Sequence, residues 1–397
     1  MTRLGTIGGA ATATVDAGGC VTAGARTLDW WIGADDRWHE PAGEAGRRQS
    51  RLGPGPVVET SIRVPGGDAH QRVYAVTAPD AIVMEVENAS PAPFVFTAVL
   101  RASGTVALAD RVLTVDGVPV LTVPRPPLRW SVGRLTGSNS DPVRRPTNLV
   151  RDEVFGGEAQ TGPFASVTGD VEVALCFSVS HRTRSRVALA SEPVDLVALA
   201  SPDETARGWE HQLDRGMRTE LPSPLQEDVD AARADLLLAP PSAAAFVSLE
   251  AWGFDKEAER VWSHLGWRER RRASRRDVDA SLLTDVHAQV VREHRDGRVD
   301  ILPGFRTEWL GQHLAVHDVP LHAGVLSYAI RWHGARPAVL WDAPAGVTLR
   351  APALDPDWSS TTAVGEGLLA EPRVELLAMG KAPAHDGTPI DEPESFT

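Results

Sequence analysis

The stretch VVETSIRV, residues 57–64, decides the fold class of this chain because apolar and polar side chains alternate along it. A period of two places successive side chains on opposite faces of a β-strand. The same rhythm returns in RVYAVT at 72–77 and in IVMEVE at 82–87, with Gly, Pro and Asp between the runs. Short runs continue to about residue 200, apart from the Pro-, Arg- and Gly-rich segment 124–165, where we expect long loops. This spacing of strands and turns predicts a large β-sandwich.

Helical signals replace the strand rhythm after about residue 200. Ser201 is suited to cap a helix, Pro202 suits its first position, and Glu204 is placed to return a hydrogen bond to the cap. Gly253 separates two of the helical runs, and the turn signal Asp296-Gly297 ends the region. The sequence predicts helices from about 201, from about 223, over about 242–252, over about 255–272 and over about 278–294.

Alternating runs return between 298 and 341 and predict a small antiparallel sheet, whereas the polar segment from about 382 predicts disorder. The predicted fold is therefore mainly β with an α-helical segment. It comprises an N-terminal β-sandwich or supersandwich (1–200), a short bundle of helical hairpins (201–295), a small C-terminal antiparallel β unit (296–381) and a disordered tail (382–397).

The chain is acidic, with 53 Asp and Glu against 40 Lys and Arg and a formal net charge of −13 over 397 residues. An acidic surface repels a polyphosphate, which argues against nucleic acid as a partner. The N-terminus lacks the charged and apolar segments of a signal peptide, and no apolar run approaches the roughly 20 residues of a membrane span. We therefore expect a soluble, cytoplasmic protein without a membrane partner.

Motifs for cofactors and metals are missing from the sequence. It contains no glycine-rich phosphate loop, nucleophile elbow or dinucleotide fingerprint. Cys20 and Cys176 lie far apart, and Cys176 falls in an apolar run that predicts a buried, inert thiol. His317, His322 and His333 fit no metal-binding spacing. The sequence thus predicts neither a cofactor nor a bound metal.

The segment DWWIGADDRWH, residues 29–39, is the richest candidate for a ligand-binding surface. Flat indole rings stack on sugar rings, and charged side chains hydrogen-bond hydroxyl groups. On this interpretation Glu59 and Arg63, which share a face of the strand predicted at 57–64, flank the same surface. The alternative is that the tryptophans pack between sandwich and helices while the charges form structural ion pairs. The predicted ligand-binding residues are Trp30, Trp31, Asp35, Asp36, Arg37, Trp38, His39, Glu59 and Arg63.

Five segments in chain order carry a resemblance: ENASPAPF at 87–94, LEAWGFDKEA at 249–258, LPGF at 302–305, EWLG at 308–311 and YAIRWHG at 328–334. They resemble segments of the six-hairpin glycosidase superfamily, which includes glucoamylase-like and glycoside-phosphorylase-like enzymes. The resemblance implies an N-terminal supersandwich, an (α/α)6 barrel and a small β-domain. A barrel of twelve helices needs on the order of 200 residues. The shorter helical segment therefore implies a truncated barrel, onto which no catalytic residue of the family can be placed.

The candidates for acid–base catalysis are carboxylates of the helical region: Glu250, Asp255, Glu257 and Glu259. Inverting glycoside hydrolysis needs two carboxylates about 6.5–9.5 Å apart, one protonated and one ionised. Glu250 and Glu257 share a helix face if the helix continues through Gly253. An active enzyme with a rebuilt site would place Glu250 or Glu257 in a cleft facing Asp35 or Asp36. The alternative is a solvated helix face, since charged residues are mostly exposed.

Six arginines fall between residues 268 and 276. Such a run can bind a phosphorylated ligand or an acidic partner. The alternative is the solvated end of a helix, where cations are favourable.

Three functions fit these residues. The leading hypothesis is a carbohydrate-associated protein that binds a glycan or sugar derivative without a complete hydrolase centre. The first rival is an active glycoside hydrolase or phosphorylase with a rebuilt acid/base site. The second is a structural or partner-binding module, which would expose an apolar patch or an interface for a second copy or another protein.

Overall fold

The computed structural model describes residues 1–135 and 149–372. The predicted tail at 382–397 and part of the predicted loops at 124–165 lie outside the described residues. The chain divides into two compact units. Unit 1 consists of Met1–Leu213 with Asp230–Pro240, and unit 2 of Asp214–Val229 with Pro241–Thr397. Most of the helices and all the C-terminal strands fall in unit 2, and the predicted domain boundaries stay a prediction.

Unit 1 is built on a large antiparallel sheet of fifteen strands. The strand predicted at 57–64 is present as Val58–Val64, and its last residues alternate, since Ile62 and Val64 are buried and Arg63 between them is exposed. Before them, Thr60 and Ser61 are buried as well. The strands are β1 (Thr2–Gly5), β2 (Thr12–Val15), β3 (Val21–Ala23), β4 (Arg26–Gly33), β5 (Trp38–His39), β6 (Arg48–Arg51), β7 (Val58–Val64), β8 (Gly67–Thr77), β9 (Asp80–Asn88), β10 (Phe94–Ala109), β11 (Val112–Val115), β12 (Val118–Thr122), β13 (Arg129–Arg134), β14 (Val167–Val179) and β15 (Arg184–Leu189).

The strands pair in the order β1-β2-β3-β4-β10-β11-β12-β15-β9-β8-β7-β6, with β5 beside β4, and with β14 between β10 and β13. The long strand β10 makes this branching possible. It pairs with β14 along one edge, and with β4 and then β11 along the other. The buried sides of these strands form one apolar core that includes Trp30, Phe96 and Phe177. The predicted mainly β fold class is confirmed.

The helices that begin at Pro202 and Leu225 start where the sequence predicts them, whereas the strand Arg129–Arg134 and the helix Leu149–Gly156 lie in the segment 124–165, where loops were expected. The capping box at Ser201 is complete: the Glu204 backbone N–H donates to Ser201 Oγ (3.2 Å), and the Ser201 N–H donates to Glu204 Oε2 (2.7 Å). Unit 1 contains α1 (Leu149–Gly156) and α2 (Pro202–Leu213), and α3 (Leu225–Leu237) is divided between the units.

Unit 2 contains four further helices, and one of them was not predicted. These are α4 (Ala243–Ala251), α5 (Asp255–His264), α6 (Trp267–Arg275) and α7 (Leu282–Val290). The predicted helix over 255–272 is interrupted because Leu265 is extended and buried, and because Gly266 has low helix propensity. The predicted helix over 278–294 is shorter, since Val291 leaves the helix and pairs with Ile301 in a strand.

Two small sheets complete unit 2. A five-stranded antiparallel sheet has the order β16-β19-β20-β21-β24, and a four-stranded sheet has the order β17-β18-β22-β23, in which β18 and β22 are parallel. Every helix in the described part of the chain is too short or too polar to cross a membrane. The strands are β16 (Arg218–Glu220), β17 (Val291–Glu293), β18 (Arg298–Ile301), β19 (Leu314–Leu321), β20 (Gly324–His333), β21 (Arg336–Asp342), β22 (Thr348–Ala351), β23 (Asp355–Ser360) and β24 (Val364–Leu368).

Candidate ligand-binding cavity between two helices

Local hydrogen bonds fix the start of α4. Ser242 caps the helix, because its side-chain oxygen accepts from the Ala245 N–H (3.1 Å). Glu269 of α6 adds a second acceptor, since its carboxylate accepts from the Ala243 N–H (3.0 Å). A negative charge at a helix N-terminus also interacts favourably with the helix dipole. These contacts hold α4 against α6.

A glycine turn then reverses the chain between α4 and α5. α4 ends at Ala251, and Gly253 has a φ of +72°, a left-handed conformation that favours glycine. The indole N–H of Trp252 donates to the Leu283 carbonyl (3.1 Å), and its ring is fully buried. α5 begins at Asp255 and returns beside α4. The break at Gly253 that the sequence indicates is therefore present.

An open cavity of about 330 Å³ lies between α4 and α5. One wall comes from a single face of α5, because its lining residues follow the helical spacing i, i+3, i+4, i+7. The lining residues are Phe246 and Glu250 of α4, and Asp255, Ala258, Glu259 and Trp262 of α5. We call this space the α4–α5 cavity.

Two aromatic rings form the apolar part of the α4–α5 cavity. The rings of Phe246 and Trp262 have centroids 4.8 Å apart, with their planes tilted by 43°. Arg270 from α6 places its guanidinium 5.4 Å from the centroid of the Trp262 ring. The same guanidinium donates to the carbonyl oxygens of Trp262 (3.2 Å) and Ser263 (3.4 Å). Trp262 is thus positioned by its neighbours while its side chain stays partly exposed.

Three carboxylates form the polar part of the cavity. Glu250, Asp255 and Glu259 are all exposed residues that line it. Partial burial raises the pKa of Glu250 above its usual value. The Arg276 guanidinium, 3.8 Å away, acts in the opposite direction, and the negative charge of Asp255 raises the pKa further. The cavity therefore combines apolar ring surfaces with strong hydrogen-bond acceptors.

The sequence indicated these carboxylates but not the two rings beside them. Asp255 and Trp262 are seven residues apart, two helical turns, and so lie on one face of α5. That spacing was the sequence feature from which the position of Trp262 beside the carboxylates could have been predicted. The contribution of Phe246 from the neighbouring helix depends on the turn at Gly253, which the sequence locates without fixing its direction.

Glu257 faces away from the α4–α5 cavity. It is 6% exposed, and its carboxylate accepts two hydrogen bonds from Arg215 Nη2, at 3.1 and 2.9 Å. The helix does not continue through Gly253, so Glu250 and Glu257 stand on different helices. The condition under which they would share a face, a helix that continues through Gly253, is therefore not met, and burial denies Glu257 the access to substrate that a catalytic acid needs.

Two of the three tryptophans in 29–39 are core residues. Trp30 is fully buried, and its indole N–H donates to the Gly18 carbonyl (3.0 Å). Trp31 is 3% exposed and meets the ring of Phe155 edge-on, with centroids 5.4 Å apart. A ligand has no exposed ring face to reach in either case. This corrects the prediction that both stack on a ligand, and the core alternative holds for them.

Trp38 packs within unit 1 as well. A Cβ built on Gly33 would approach three consecutive atoms of the Trp38 six-membered ring at 2.8–2.9 Å. Such nearly equal distances mean that Gly33 lies over the face of the ring. Trp38 also stacks on Phe155 of α1. Its ring is therefore engaged by neighbouring residues.

The charged residues beside Trp38 form a local ion-pair network. Both ring nitrogens of the buried His39 lie 3.0 Å from a carboxylate oxygen, one of Asp36 and one of Glu44. Arg37 donates two hydrogen bonds to Glu44, at 2.7 and 2.9 Å. The hydrogen bond from His39 lowers the pKa of Asp36. Asp35, Asp36 and Arg37 are exposed, and a ligand-binding or catalytic role for them stays a prediction.

Glu59 and Arg63 share a face of β7, as their spacing predicts, but have different surroundings. Glu59 is held by Arg72 (Nε to Oε2, 2.7 Å) and by His70 (3.5 Å). These contacts, with the His70 hydrogen bond the largest influence, lower the pKa of Glu59 to about 2. Arg63 is 72% exposed and pairs with Asp68 at 3.5 Å. A ligand contact for either residue stays a prediction.

A larger cavity of about 900 Å³ lies in unit 1 beside α2 and the end of β8. Glu204 is its single charged lining residue, and the capping box at Ser201 already engages that carboxylate. The cavity in unit 1 therefore offers a ligand fewer charged hydrogen-bonding groups than the α4–α5 cavity does. Within residues 1–135 and 149–372, no group of three His, Cys, Asp or Glu side chains is arranged to hold a metal ion.

Comparisons with known proteins leave the family open. No protein-family model matches the chain, and no curated protein matches it in sequence. Among solved structures, the chain is similar to a bacterial glucoamylase complexed with acarbose, with a TM-score of 0.44 and 8% sequence identity. The match covers 66% of this chain and 48% of the glucoamylase. The chain thus spans about half the length of that enzyme, and a similarity of this size assigns it neither a family nor an activity.

Proposed function

We propose that this protein binds a carbohydrate in the α4–α5 cavity and has no complete hydrolase centre there. The observation that supports this is the composition of one exposed face of α5. It presents the partly exposed ring of Trp262, which contacts the α4 residue Phe246 and the α6 residue Arg270. Asp255 and Glu259 stand on the same face one helical turn apart.

This arrangement matches the two kinds of surface on a sugar ring. The C–H groups of the ring form an apolar face that packs on an aromatic side chain, and the hydroxyl groups donate to carboxylates in charge-assisted hydrogen bonds. The volume of about 330 Å³ is at the lower end of the range for small-molecule sites, about 300–1,000 Å³. A single sugar unit, or the end of a longer chain, is the size of ligand we infer.

Solvent exposure of the carboxylates favours binding over catalysis. Glycoside hydrolysis uses one protonated and one ionised carboxylate on either side of the scissile bond, in a site that admits the attacking water but is shielded from bulk solvent. Glu250, Asp255 and Glu259 are all exposed to solvent. A carboxylate in this setting is suited to accept hydrogen bonds from hydroxyl groups.

One observation favours a second candidate function, a glycoside hydrolase or phosphorylase. The raised pKa of Glu250 is the direction that a general acid requires. Glu250 also stands on the opposite wall of the cavity from Asp255. In this role Glu250 would protonate the leaving oxygen, and Asp255 would activate the attacking water or phosphate.

Thermal stability against a panel of neutral mono- and oligosaccharides tests the proposal. A ligand at 100 times its dissociation constant stabilises the folded state by about 2.7 kcal/mol. For the best ligand, calorimetric titration of Trp262→Ala is expected to show affinity about tenfold weaker. Trp332→Ala is the matched control, since Trp332 is, like Trp262, a partly exposed tryptophan of unit 2 and lies outside the cavity. Equal affinities of Trp262→Ala and the wild type would overturn the proposal.

Release of product from the bound sugar separates the two candidate functions. The binding proposal predicts no turnover by the wild-type protein. Turnover that disappears in Glu250→Gln, while affinity for the sugar is retained, would establish the enzyme instead.

A further inference from the structure

Helix α6 concentrates positive charge in an acidic protein. Residues 268–276 contain six arginines and a single acid, Glu269, whereas the whole chain carries a formal charge of −13. α6 is also the helix that places Arg270 over the cavity residue Trp262. The basic helix and the α4–α5 cavity are therefore adjacent parts of unit 2.

The arginines of α6 fall into two sets. Arg270, Arg272 and Arg276 are engaged within unit 2: Arg270 by Trp262, Arg272 by Glu269 (3.3 Å), and Arg276 by the cavity residue Glu250 (3.8 Å). The second set consists of Arg268, Arg271 and Arg275, which are exposed and make no ion pair with any described residue.

The second set lies on one side of the helix. The spacing of Arg268, Arg271 and Arg275 is i, i+3, i+7, which places the three side chains in a row on the exposed face. The row extends about 10 Å along the helix axis at 1.5 Å per residue. Three unpaired cations in a row are complementary to several negative charges spaced along one chain.

An exposed indole ring accompanies this row. Trp267 is 71% exposed, and the Arg271 guanidinium lies 5.8 Å from its ring centroid. The pairing of Arg270 with Trp262 repeats this arrangement at the cavity. A guanidinium beside an indole offers a cation for an acidic group next to a flat apolar surface for a ring.

We infer that the carbohydrate bound in the α4–α5 cavity is one unit of an anionic polymer, a polyuronate, whose chain continues along the arginine row of α6. In the cavity this unit turns its hydroxyl groups to Asp255 and Glu259 and its carboxylate to Arg270, which lies over Trp262. This inference rests on the proposed function. The carboxylates of the polymer pair with Arg268, Arg271 and Arg275, and one of its sugar rings packs on Trp267. An acidic polypeptide has the charges but lacks the successive rings that match the two indoles, so the polysaccharide is favoured.

Polygalacturonate and its fully methyl-esterified form test the charge requirement, because they share a backbone and differ in charge. We expect the wild-type protein to bind the acid form at least tenfold more tightly at low salt, with a preference that declines as salt screens the charges. Equal affinity for the two polymers would overturn the inference. It would leave the proposed function intact, because that function requires only a sugar.

Charge-removing variants locate the polymer site. The triple variant Arg268→Gln, Arg271→Gln, Arg275→Gln is expected to bind polygalacturonate about tenfold less tightly, since each exposed charge contact contributes a modest factor. The matched control removes three exposed arginines of the same unit that make no ion pair within the described part of the chain: Arg292→Gln, Arg295→Gln, Arg331→Gln. Equal losses in the two triple variants would overturn the inference, because net charge alone would then explain the binding.

Polyglutamate provides the alternative outcome. If polyglutamate binds as tightly as polygalacturonate and depends equally on the arginine row, the partner is an acidic polypeptide and the polysaccharide inference fails. The proposed function fails separately, when Trp262→Ala leaves the affinity for neutral sugars unchanged.

Discussion

The rings of Trp38 and Phe155 are stacked, with their planes 3° apart and their centroids separated by 5.1 Å. This contact joins α1 to the hairpin of β4 and β5. Phe155 also meets Trp31 edge-on, and Arg151 lies 4.6 Å from its centroid. The aromatic residues of 29–39 thus support the fold of unit 1.

Replacing Trp38 by Ala is therefore expected to reduce stability without altering ligand binding. Removal of a fully buried aromatic side chain costs about 3–5 kcal/mol, and the partly exposed Trp38 should cost roughly 1–3 kcal/mol. Denaturant unfolding measures the loss. If Trp38→Ala abolishes sugar binding while the free energy of unfolding stays constant, the ligand site lies at residues 29–39 and the account is wrong.

Glu257 and Glu250 are expected to respond differently to substitution. Glu257→Gln leaves the partly buried Arg215 without its carboxylate, so we predict a loss of stability of about 2–4 kcal/mol with sugar affinity retained. Glu250→Gln, the matched control, removes an exposed carboxylate of the cavity and should weaken sugar binding with little change in stability. Titration with the sugar and denaturant unfolding of both variants check this. Loss of sugar affinity in Glu257→Gln but not in Glu250→Gln would show that the sugar does not bind in the α4–α5 cavity.

His287 is expected to make the stability of unit 2 depend on pH between 4 and 6.5. Burial, with a further contribution from the charge of Arg276, lowers its pKa from 6.5 to about 4. In this window the unfolded chain binds a proton that the folded chain does not, so stability increases from pH 4 to pH 6.5 and then levels off. His287→Gln should flatten the profile in that window. The exposed His333 provides a control in His333→Gln, and an identical slope in both variants would contradict the account.

Glu59 is expected to make the stability of the protein depend on pH below 4.5. Its pKa of about 2, lowered first by the His70 hydrogen bond and then by Arg72, means that its stabilising contribution is fully present above pH 4.5. The contribution is lost as pH falls from 4.5 towards 2, because the unfolded carboxylate takes up its proton first. Glu59→Gln should lower stability at neutral pH and reduce the acid slope, measured by unfolding at several pH values. Glu192→Gln, at an exposed residue without an ion pair to any described residue, should match the wild type.

Most of the fold could be predicted from regular patterns of neighbouring residues in the sequence. The alternation in 57–64 and the cap at Ser201 depend on near neighbours along the chain, so a strand face and a helix start follow directly from the residues. The interruption at Leu265 was not predictable in this way. Leu265 leaves the helix because it is buried in unit 2, and long-range packing of this kind overrides local helix propensity.

The candidate site was only partly accessible from sequence for the same reason. Tryptophans with charged neighbours fit a sugar site and a packed interface equally well, and burial of Trp30 and Trp31 decides for packing. In the sequence, Phe246 and Trp262 are isolated aromatic residues, and no motif around them predicts a binding site. They become a site only when the turn at Gly253 brings α4 beside α5.

The position of a bound sugar tests the central claim most directly. We would determine a crystal structure of the full chain with the sugar or polyuronate fragment that stabilises it best. The account predicts a sugar ring packed on Trp262, with hydroxyl groups hydrogen-bonded to Asp255 or Glu259. A sugar bound beside Asp35, Asp36 and Arg37, with the α4–α5 cavity empty, would contradict it.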